Sequence, residues 1–585
     1  MPAMGTYEHL IEEFEAMTRD AERVQRETLK KIIESNSETE YLQKWGLNGR
    51  TDPQDFKSCI PLATHADFEP YIQRIADGDK SPLLTIQPIT VLSLSSGTTN
   101  GRQKFVPFND NLLALTVQIF GISGAYRAHW FPIMRGGRAL EFVYSSKPRH
   151  TKGGFLACPA TTNVFSSAEY KMAKKSSQIT ACSPEEVVFG LDSRQSLYCH
   201  LLCGLIYSNE VQYVSSSFSY SILDAIGTFE QVWEELCTDI RDGKLSERIT
   251  ITSIRACVSI LLKPDPDLAD EIYEKCKNME ESNWYGVIPK LWPNAKYVYS
   301  IMTGSMEPYL RKLRHYAGDL PLVSADYGAS EGWVGANIDP TTPPESTTFT
   351  VIPNLAYFEF IPLHWNSKFD EIDLPNPNGQ HTESEPVGLT EVKVGEEYEV
   401  VFTTFAGLYR YRLGDIVKVA GFYNSTPQLS YICRKNLLLA VNIDKTTEKE
   451  LQISVEKATQ LFREGSVQLV DFTSYADLAT EPGHYVIFWE LSGTMEEKIL
   501  NKCCSVMDES FVDGGYISSR KAKTIGPLEL CIVEMGTFKK ILDHYLSIGA
   551  AVSQFKTPRC INSNPALFDI LNNGVIQKHF STFLS

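Results

Sequence analysis

The stretch VLSLSSGTTNGRQKFVPF, residues 91–108, decides how the rest of the chain is read. Its first half alternates apolar and small residues with the period of a strand, then passes into Ser95, Ser96, Gly97, Thr98, Thr99 and Gly101 and on to Arg102 and Lys104. Hydroxyls, unhindered backbone N–H groups and two cations in so short a span suit a loop that curls around an anion, phosphate above all. The spacing excludes a Walker A loop, which ends in Gly-Lys-Ser/Thr. Here three residues separate Gly97 from Gly101, and the lysine stands three positions after the second glycine.

Two later stretches carry carboxylates in similar settings. SADYGASEGW (324–333) ends an apolar strand in an aromatic residue, a glycine and then Glu331, and GLYRYRLGDIVKV (407–419) presents Asp415 from a turn between two apolar strands. Taken singly, each also reads as an ordinary turn with an exposed acid. In this order the three stretches resemble the adenylate-forming, firefly-luciferase-like superfamily. That resemblance implies a loop at the pyrophosphate end of ATP, Tyr327 on the adenine, Glu331 at a magnesium ion and Asp415 on the ribose hydroxyls. Magnesium favours carboxylate with phosphate oxygen, and a diol suits a fixed bidentate acceptor.

A closer resemblance covers nearly the whole chain. YLQKWGLNG, IMTGSMEPYLRKLRHYAGDLPLVSADYGASEGW, VNIDKTTEKELQ, DFTSYADLATEPGHYVIFWE and QFKTPRC, with the loop and GLYRYRLGD, resemble the plant auxin-responsive acyl-acid amido synthetases, most of all their jasmonoyl-isoleucine synthetase branch. The resemblance implies an ATP- and magnesium-dependent ligase that joins a hormone carboxylic acid, a jasmonate in the first place, to an amino acid. Indole-3-acetic acid or a benzoate is the alternative acid. A nucleotide site is implied at Ser93, Ser96, Leu113, Thr116, Asn163, Ala325, Asp326, Tyr327, Gly328, Asp415 and Lys556, with Lys556 and Glu331 the catalytic pair. The acid pocket is implied at Ser96, Thr116, Gly328 and Trp333, and the amino-acid site at Thr161, Thr162, Lys523 and Thr524. One position departs from the branch, because Ala325 stands where a histidine is expected and can neither donate a hydrogen bond nor change charge. The departure bears on the identity of the acid and leaves the reaction class untouched.

Global properties set the frame. At 585 residues the chain exceeds what one core accommodates, and 43% hydrophobic residues can fill two. With 55 basic and 72 acidic residues the net charge is -17, which argues against nucleic acid or an anionic membrane as partner, so an anion must be met by a local positive pocket. The acidic, amphipathic N-terminus has neither the basic start nor the apolar core of a secretion signal. The thirteen cysteines are odd in number and dispersed, as in reduced thiols. A cytoplasmic monomer is expected. Cys199, His200 and Cys203, and the pair Cys503 and Cys504, lie in helical patterns and are read as helix packing before zinc ligation.

The expected fold is α/β: a large N-terminal domain with mixed sheets over residues 1–433, and a smaller, mobile α+β domain over 434–585. Residues 7–35 read as one amphipathic helix, and residues 339–347 and 364–388 as exposed loops. After Arg434 the order αββαβα predicts helices on one face of an antiparallel sheet, with a hinge at the boundary. Transfer of the activated acyl group to a thiol such as coenzyme A, or a silent hormone-binding protein on the same fold, stand as further alternatives.

Overall fold

The computed structural model describes residues 4–99, 102–145, 148–176, 179–363, 365–366, 371–372, 384–435, 437–442, 444, 446–462, 467–548, 550, 555–561 and 564–583; the side chains at 4–7, 96–99, 102–103, 176, 365–366, 371–372 and 437–438 are outside this description. Most of the loop predicted at 364–388 therefore lies outside the described residues.

Among the described residues, three larger sheets build the large domain, beside a short ribbon of Trp365–Asn366 with Glu371–Ile372. The loop stretch is an antiparallel hairpin, Val91–Thr99 with Arg102–Phe108, extended by Leu156–Cys158 and Arg149–His150. A parallel five-stranded sheet runs Thr180–Ala181, Arg138–Phe142, Val211–Phe218, Tyr297–Ile301 and Leu322–Ser324. Its crossovers include the helices Ser193–Ile206 and Ser219–Asp242, which supply much of the first core. An antiparallel eight-stranded sheet begins at Tyr327–Ala329 and Gly332–Ala336 and contains Glu397–Thr403, Tyr411–Tyr423 and Thr426–Arg434. The strand Leu322–Ser324 of one sheet leads directly into Tyr327–Ala329 of the other, so the DYG segment forms the seam between them.

The expected single N-terminal helix is two, Met4–Arg19 and Ala21–Asn36, with Asp20 outside helical geometry. The break is held from a distance. At the tip between Tyr411–Tyr423 and Thr426–Arg434, the Ser425 N–H donates to the Thr18 carbonyl, while the Ala21 N–H donates to Ser425 Oγ at 3.0 Å. A residue four hundred positions away satisfies the helix ends that the amphipathic pattern cannot reveal.

Asp415 also sits differently from expectation. It lies inside the continuous strand Tyr411–Tyr423, not in a turn between strands. Gly414 takes a left-handed φ of 77°, and the pairing with Glu397–Thr403 shifts register there, so the glycine makes a bulge that re-aims the aspartate.

The C-terminal sheet runs Leu469–Asp477, His484–Leu491, Glu529–Val533 and Val575–Phe580. It is mixed rather than antiparallel, since His484–Leu491 pairs in parallel with Glu529–Val533. It is also covered on both faces. Tyr485, Ile487 and Trp489 pack with the helices Glu448–Thr459 and Glu497–Ser510, and Val486 and Phe488 with Thr537–Ser547 and Pro565–Gly574. The unbroken apolar run YVIFW is the mark of a strand buried on both sides. Among the described residues no helix is long and apolar enough to cross a membrane.

Arg410 ties the eight-stranded sheet to the N-terminal helices. Its guanidinium grips Glu359 through two bonds of 2.9 Å and donates to the Lys57 and Ile60 carbonyls, with both charged groups buried. Removing one member of such a pair strands the other. Glu359→Ala is therefore expected to lower stability by about 3–5 kcal/mol, measured by chemical denaturation, with Glu359→Gln costing less.

Candidate active site

Ser93 occupies the middle of the hairpin sheet, opposite Val106 on one side and Cys158 on the other. It is fully buried and its Oγ has no hydrogen-bond partner. The strand ending at Cys158 leads through Pro159 into the short helix Ala160–Ser166, where the hydroxyls of Thr161 and Thr162 are likewise buried and unpartnered. An unsatisfied buried hydroxyl costs about 1–3 kcal/mol, so three on adjoining elements call for partners that the surrounding side chains do not supply. Asn163 lies half-buried on the same turn. The Ser96 side chain, Asn100 and Gly101 lie outside the described residues, but the register shift between Leu94 and Thr98 shows that the hairpin bulges there.

The helix Asp110–Trp130 begins beside this hairpin, capped by Asn109, whose amide oxygen accepts from the Leu112 N–H. Thr116 donates to the Leu112 carbonyl at 2.7 Å and accepts from Trp333 Nε1 at 2.9 Å, so its hydroxyl sets the indole. The Trp333 ring meets Phe120 edge-on at 5.2 Å, and Phe120 meets Tyr170. With Leu113 and Phe165 these rings form an apolar wall. Gly328 makes the wall fit, because a Cβ there would meet the indole at 2.4 Å. Phe120 and Tyr170 escaped sequence reasoning, although Phe120 stands one helical turn beyond Thr116 on the same face.

Tyr327, Glu331 and Asp415 converge. The Tyr327 hydroxyl donates to Asp415 Oδ2 at 3.0 Å, and Arg434 Nε donates to Oδ1 at 2.9 Å. Tyr411, from the same strand as Asp415, donates to Glu331 at 3.0 Å. The Arg434 guanidinium, which feels both Asp415 and Glu331, links the two acids. The Tyr327 ring itself is buried between Phe349 and Tyr431. Arg434 and Tyr411 were not singled out from sequence, though Arg434 ends the strand that abuts the domain boundary.

The C-terminal domain closes over this cluster. Lys556 is delivered from its far end, with Nζ 4.8 Å from the centre of the Phe218 ring. Burial, and next the neighbouring Arg434, pull its ammonium down to about 8, against the opposing pull of Asp415 and Glu448. Phe218 precedes the helix Ser219–Asp242, which lacks a side-chain cap. A cation and an uncapped helix N-terminus meeting in one place together suit an anion.

Not every expected residue joins this group. Lys523 and Thr524 lie in a turn of the C-terminal domain, where Thr524 Oγ1 accepts from Asn442 and donates to the Ser519 carbonyl. Asp326 turns inward, accepting from Ser123 Oγ at 2.7 Å and from the Asn337 N–H; burial pushes its carboxyl up. Ala325 donates its N–H to the Ser300 carbonyl and sits at the seam between sheets. Among the described residues no three acids, histidines or cysteines are placed to hold a metal ion. Magnesium at Glu331 would therefore take most of its ligands from phosphate and water, as it commonly does. Both ring nitrogens of His200 are occupied, by Ser183 Oγ and the Val143 carbonyl, within a buried core that includes Cys199 and Cys203.

The chain is similar to known proteins along nearly its whole length. Residues 10–322 match the GH3 family N-terminal domain, 349–434 its central domain and 449–565 its C-terminal domain. A jasmonoyl–L-amino acid synthetase of Nicotiana attenuata is 60% identical over 98% of this chain and 97% of its own. Another from Oryza sativa subsp. japonica is 60% identical over 98% of each. An indole-3-acetic acid-amido synthetase of Arabidopsis thaliana is 51% identical over 98% of each chain. Among solved structures, the GH3.15 acyl acid amido synthetase superimposes with a TM-score of 0.89 at 34% identity, covering 100% of this chain and 98% of that one. The packing at Gly328 yields a direct test: Gly328→Ala is expected to displace the indole and cost about 1–3 kcal/mol in chemical denaturation.

Proposed function

The chain belongs to the GH3 family and is an acid–amino acid ligase, and from that premise we propose that it couples a jasmonate to an amino acid at the expense of ATP, with magnesium. The observation that carries this reading is the convergence of Lys556, Asp415 and Glu331, from both domains, around Arg434. Jasmonate is favoured by the two relatives named for it at 60% identity over almost the whole chain. Indole-3-acetic acid is the second reading, favoured by the Arabidopsis relative and by an aromatic wall that suits a planar ring.

A carboxylate cannot acylate an amine directly, because oxide would have to leave. In the proposed first step the acid's oxygen bonds to the α-phosphorus of ATP while the bond to pyrophosphate breaks. In the second, the amine forms the C–N bond, loses its proton, and the C–O bond to AMP breaks. No covalent enzyme nucleophile is required, only charge placed where charge develops and exclusion of water. Lys556 meets the phosphates, Glu331 magnesium and Asp415 the ribose. Tyr327 acts through Asp415, whose carboxylate it fixes. The hydroxyls of Ser93, Thr161 and Thr162, with the hairpin bulge, face the reacting groups. Trp333 and Phe120 flank the acid. Lys523 and Thr524 reach the amino acid only after the small domain has turned.

A panel of acids and amino acids with ATP, read by mass spectrometry, tests the reaction. An amide with a jasmonate supports the proposal, a thioester alone or no product refutes it, and an amide with indole-3-acetic acid alone establishes the second reading. Asp415→Ala is expected to weaken ATP use with every acid, whereas Trp333→Ala alters acid preference more than the KM for ATP; equal loss in both contradicts the assignment. Lys556 must be protonated to pair with phosphate, so kcat/KM for ATP, which reports the free enzyme, is expected to fall as pH rises through about 8. The guanidinium of Lys556→Arg stays charged there, and that limb should move upward or vanish.

A further inference from the structure

The stretch GSMEPY forms two turns of tight 3-10 helix, Gly304–Tyr309, after the strand Tyr297–Ile301. It reaches into the C-terminal domain. Glu307 pairs with Lys449 at 2.9 Å, and the buried Tyr309 hydroxyl donates to Asp471 Oδ2 at 2.9 Å. Asp471 is itself the centre of a buried network within the small domain. It accepts from Thr557 Oγ1 at 2.6 Å and from Arg559 Nη1 at 2.5 Å, and Arg559 Nη1 also donates to the Phe472 carbonyl. Arg559 Nη2 in turn donates to the Tyr309 oxygen at 3.2 Å. Thr557 and Arg559 follow Lys556 by one and three positions, so the network that Tyr309 completes fixes the segment carrying the lysine.

We infer that the Gly304–Tyr309 turn is the latch that holds the small domain in the arrangement competent for the first step, with Tyr309 a positioning residue for Lys556. The inference rests on the two-step reaction proposed above. Three features favour a latch over generic packing. The Tyr309 hydroxyl is at once donor to an acid and acceptor from a base, so it matches only one placement of the two domains. Asp471 keeps its bonds from Thr557 Oγ1 and Arg559 Nη1 without it, whereas Arg559 Nη2 gives up its bond to Tyr309 when the contact is broken, which loosens the segment that carries Lys556. The turn is also braced from behind: Gly304 adopts a φ of 62°, and a Cβ there would meet the Tyr431 ring, which packs on Tyr327, at 2.8 Å. The latch and the nucleotide cluster thus share a wall.

Tyr309→Phe retains the ring and removes the hydroxyl. Acid-dependent exchange of labelled pyrophosphate into ATP is expected to fall about ten-fold or more, the scale of a lost hydrogen bond to a charged group. Amide formation from a supplied synthetic acyl-adenylate, without ATP, is expected to be unchanged or faster. Glu307→Gln should act in the same direction more weakly, up to about five-fold, because its partner is a partly exposed lysine. Hydrogen–deuterium exchange of the ligand-free protein gives a readout independent of catalysis: protection over residues 555–561 should drop in Tyr309→Phe. Unchanged protection, or an equal loss in both half-reactions, overturns the latch. Absence of pyrophosphate exchange in the parent enzyme with every acid instead overturns the reaction proposed above, while the protection measurement still decides the latch.

Discussion

The carboxylate of Asp415 is the constraint around which the large domain's site is arranged. A buried anion needs donors on both oxygens, and here they come from opposite directions: Tyr327 from the seam between two sheets, and Arg434 from the end of the last strand before the small domain. The bulge at Gly414 points the aspartate toward both. One acid therefore fixes the position of the DYG segment, the register of two long strands and the last side chain of the strand Thr426–Arg434. Glu399 repeats the device on the neighbouring strand, where Arg412 and Lys435 meet its buried carboxylate and, against the upward push of burial, hold it below its usual range. The consecutive residues Arg434 and Lys435 are thus anchored by separate acids of the same sheet.

Much of the reaction chemistry could be read from the chain because it rests on local signals. Small hydroxyl residues beside glycines, a carboxylate shortly after Tyr-Gly and a Gly-Asp pair between apolar runs are visible within a dozen residues each. What remained hidden depends on distance. Tyr309 and Asp471 are 162 positions apart, and Asp471 and Arg559 are 88, with nothing in either neighbourhood to suggest a pair. The turn expected at Asp415 shows how one glycine carries two meanings, since a left-handed residue ends a strand or bulges it according to what lies opposite. The antiparallel small domain expected from its order of elements failed because His484–Leu491 and Glu529–Val533 flank the helix Glu497–Ser510 as a crossover unit and pair in parallel. Its last helix and strand, Pro565–Gly574 and Val575–Phe580, escaped the reading, and they complete the second face.

The roles expected of individual residues are also redistributed. Thr116, expected at the ligand, has both functions of its hydroxyl engaged by protein, as donor to Leu112 and acceptor from Trp333, and so shapes the pocket at one remove. Asp326 is likewise turned inward to Ser123 and Asn337. By contrast the hydroxyls of Ser93, Thr161 and Thr162 lack protein partners altogether. The position of a residue within a motif therefore says little about whether it touches a ligand or supports a neighbour that does; the bonds already made by each polar atom separate the two.

The two-faced core of the small domain has a mechanical consequence. Because Tyr485, Ile487 and Trp489 are sealed on one side of the sheet and Val486 and Phe488 on the other, largely by its own helices, the interior of the domain owes little to its neighbour. What joins it to the large domain is a rim of mixed character, with the polar contacts of Tyr309 and Glu307 beside the packing of Tyr220 on Phe555, so parting the two would expose that rim and leave the interior of the small domain intact.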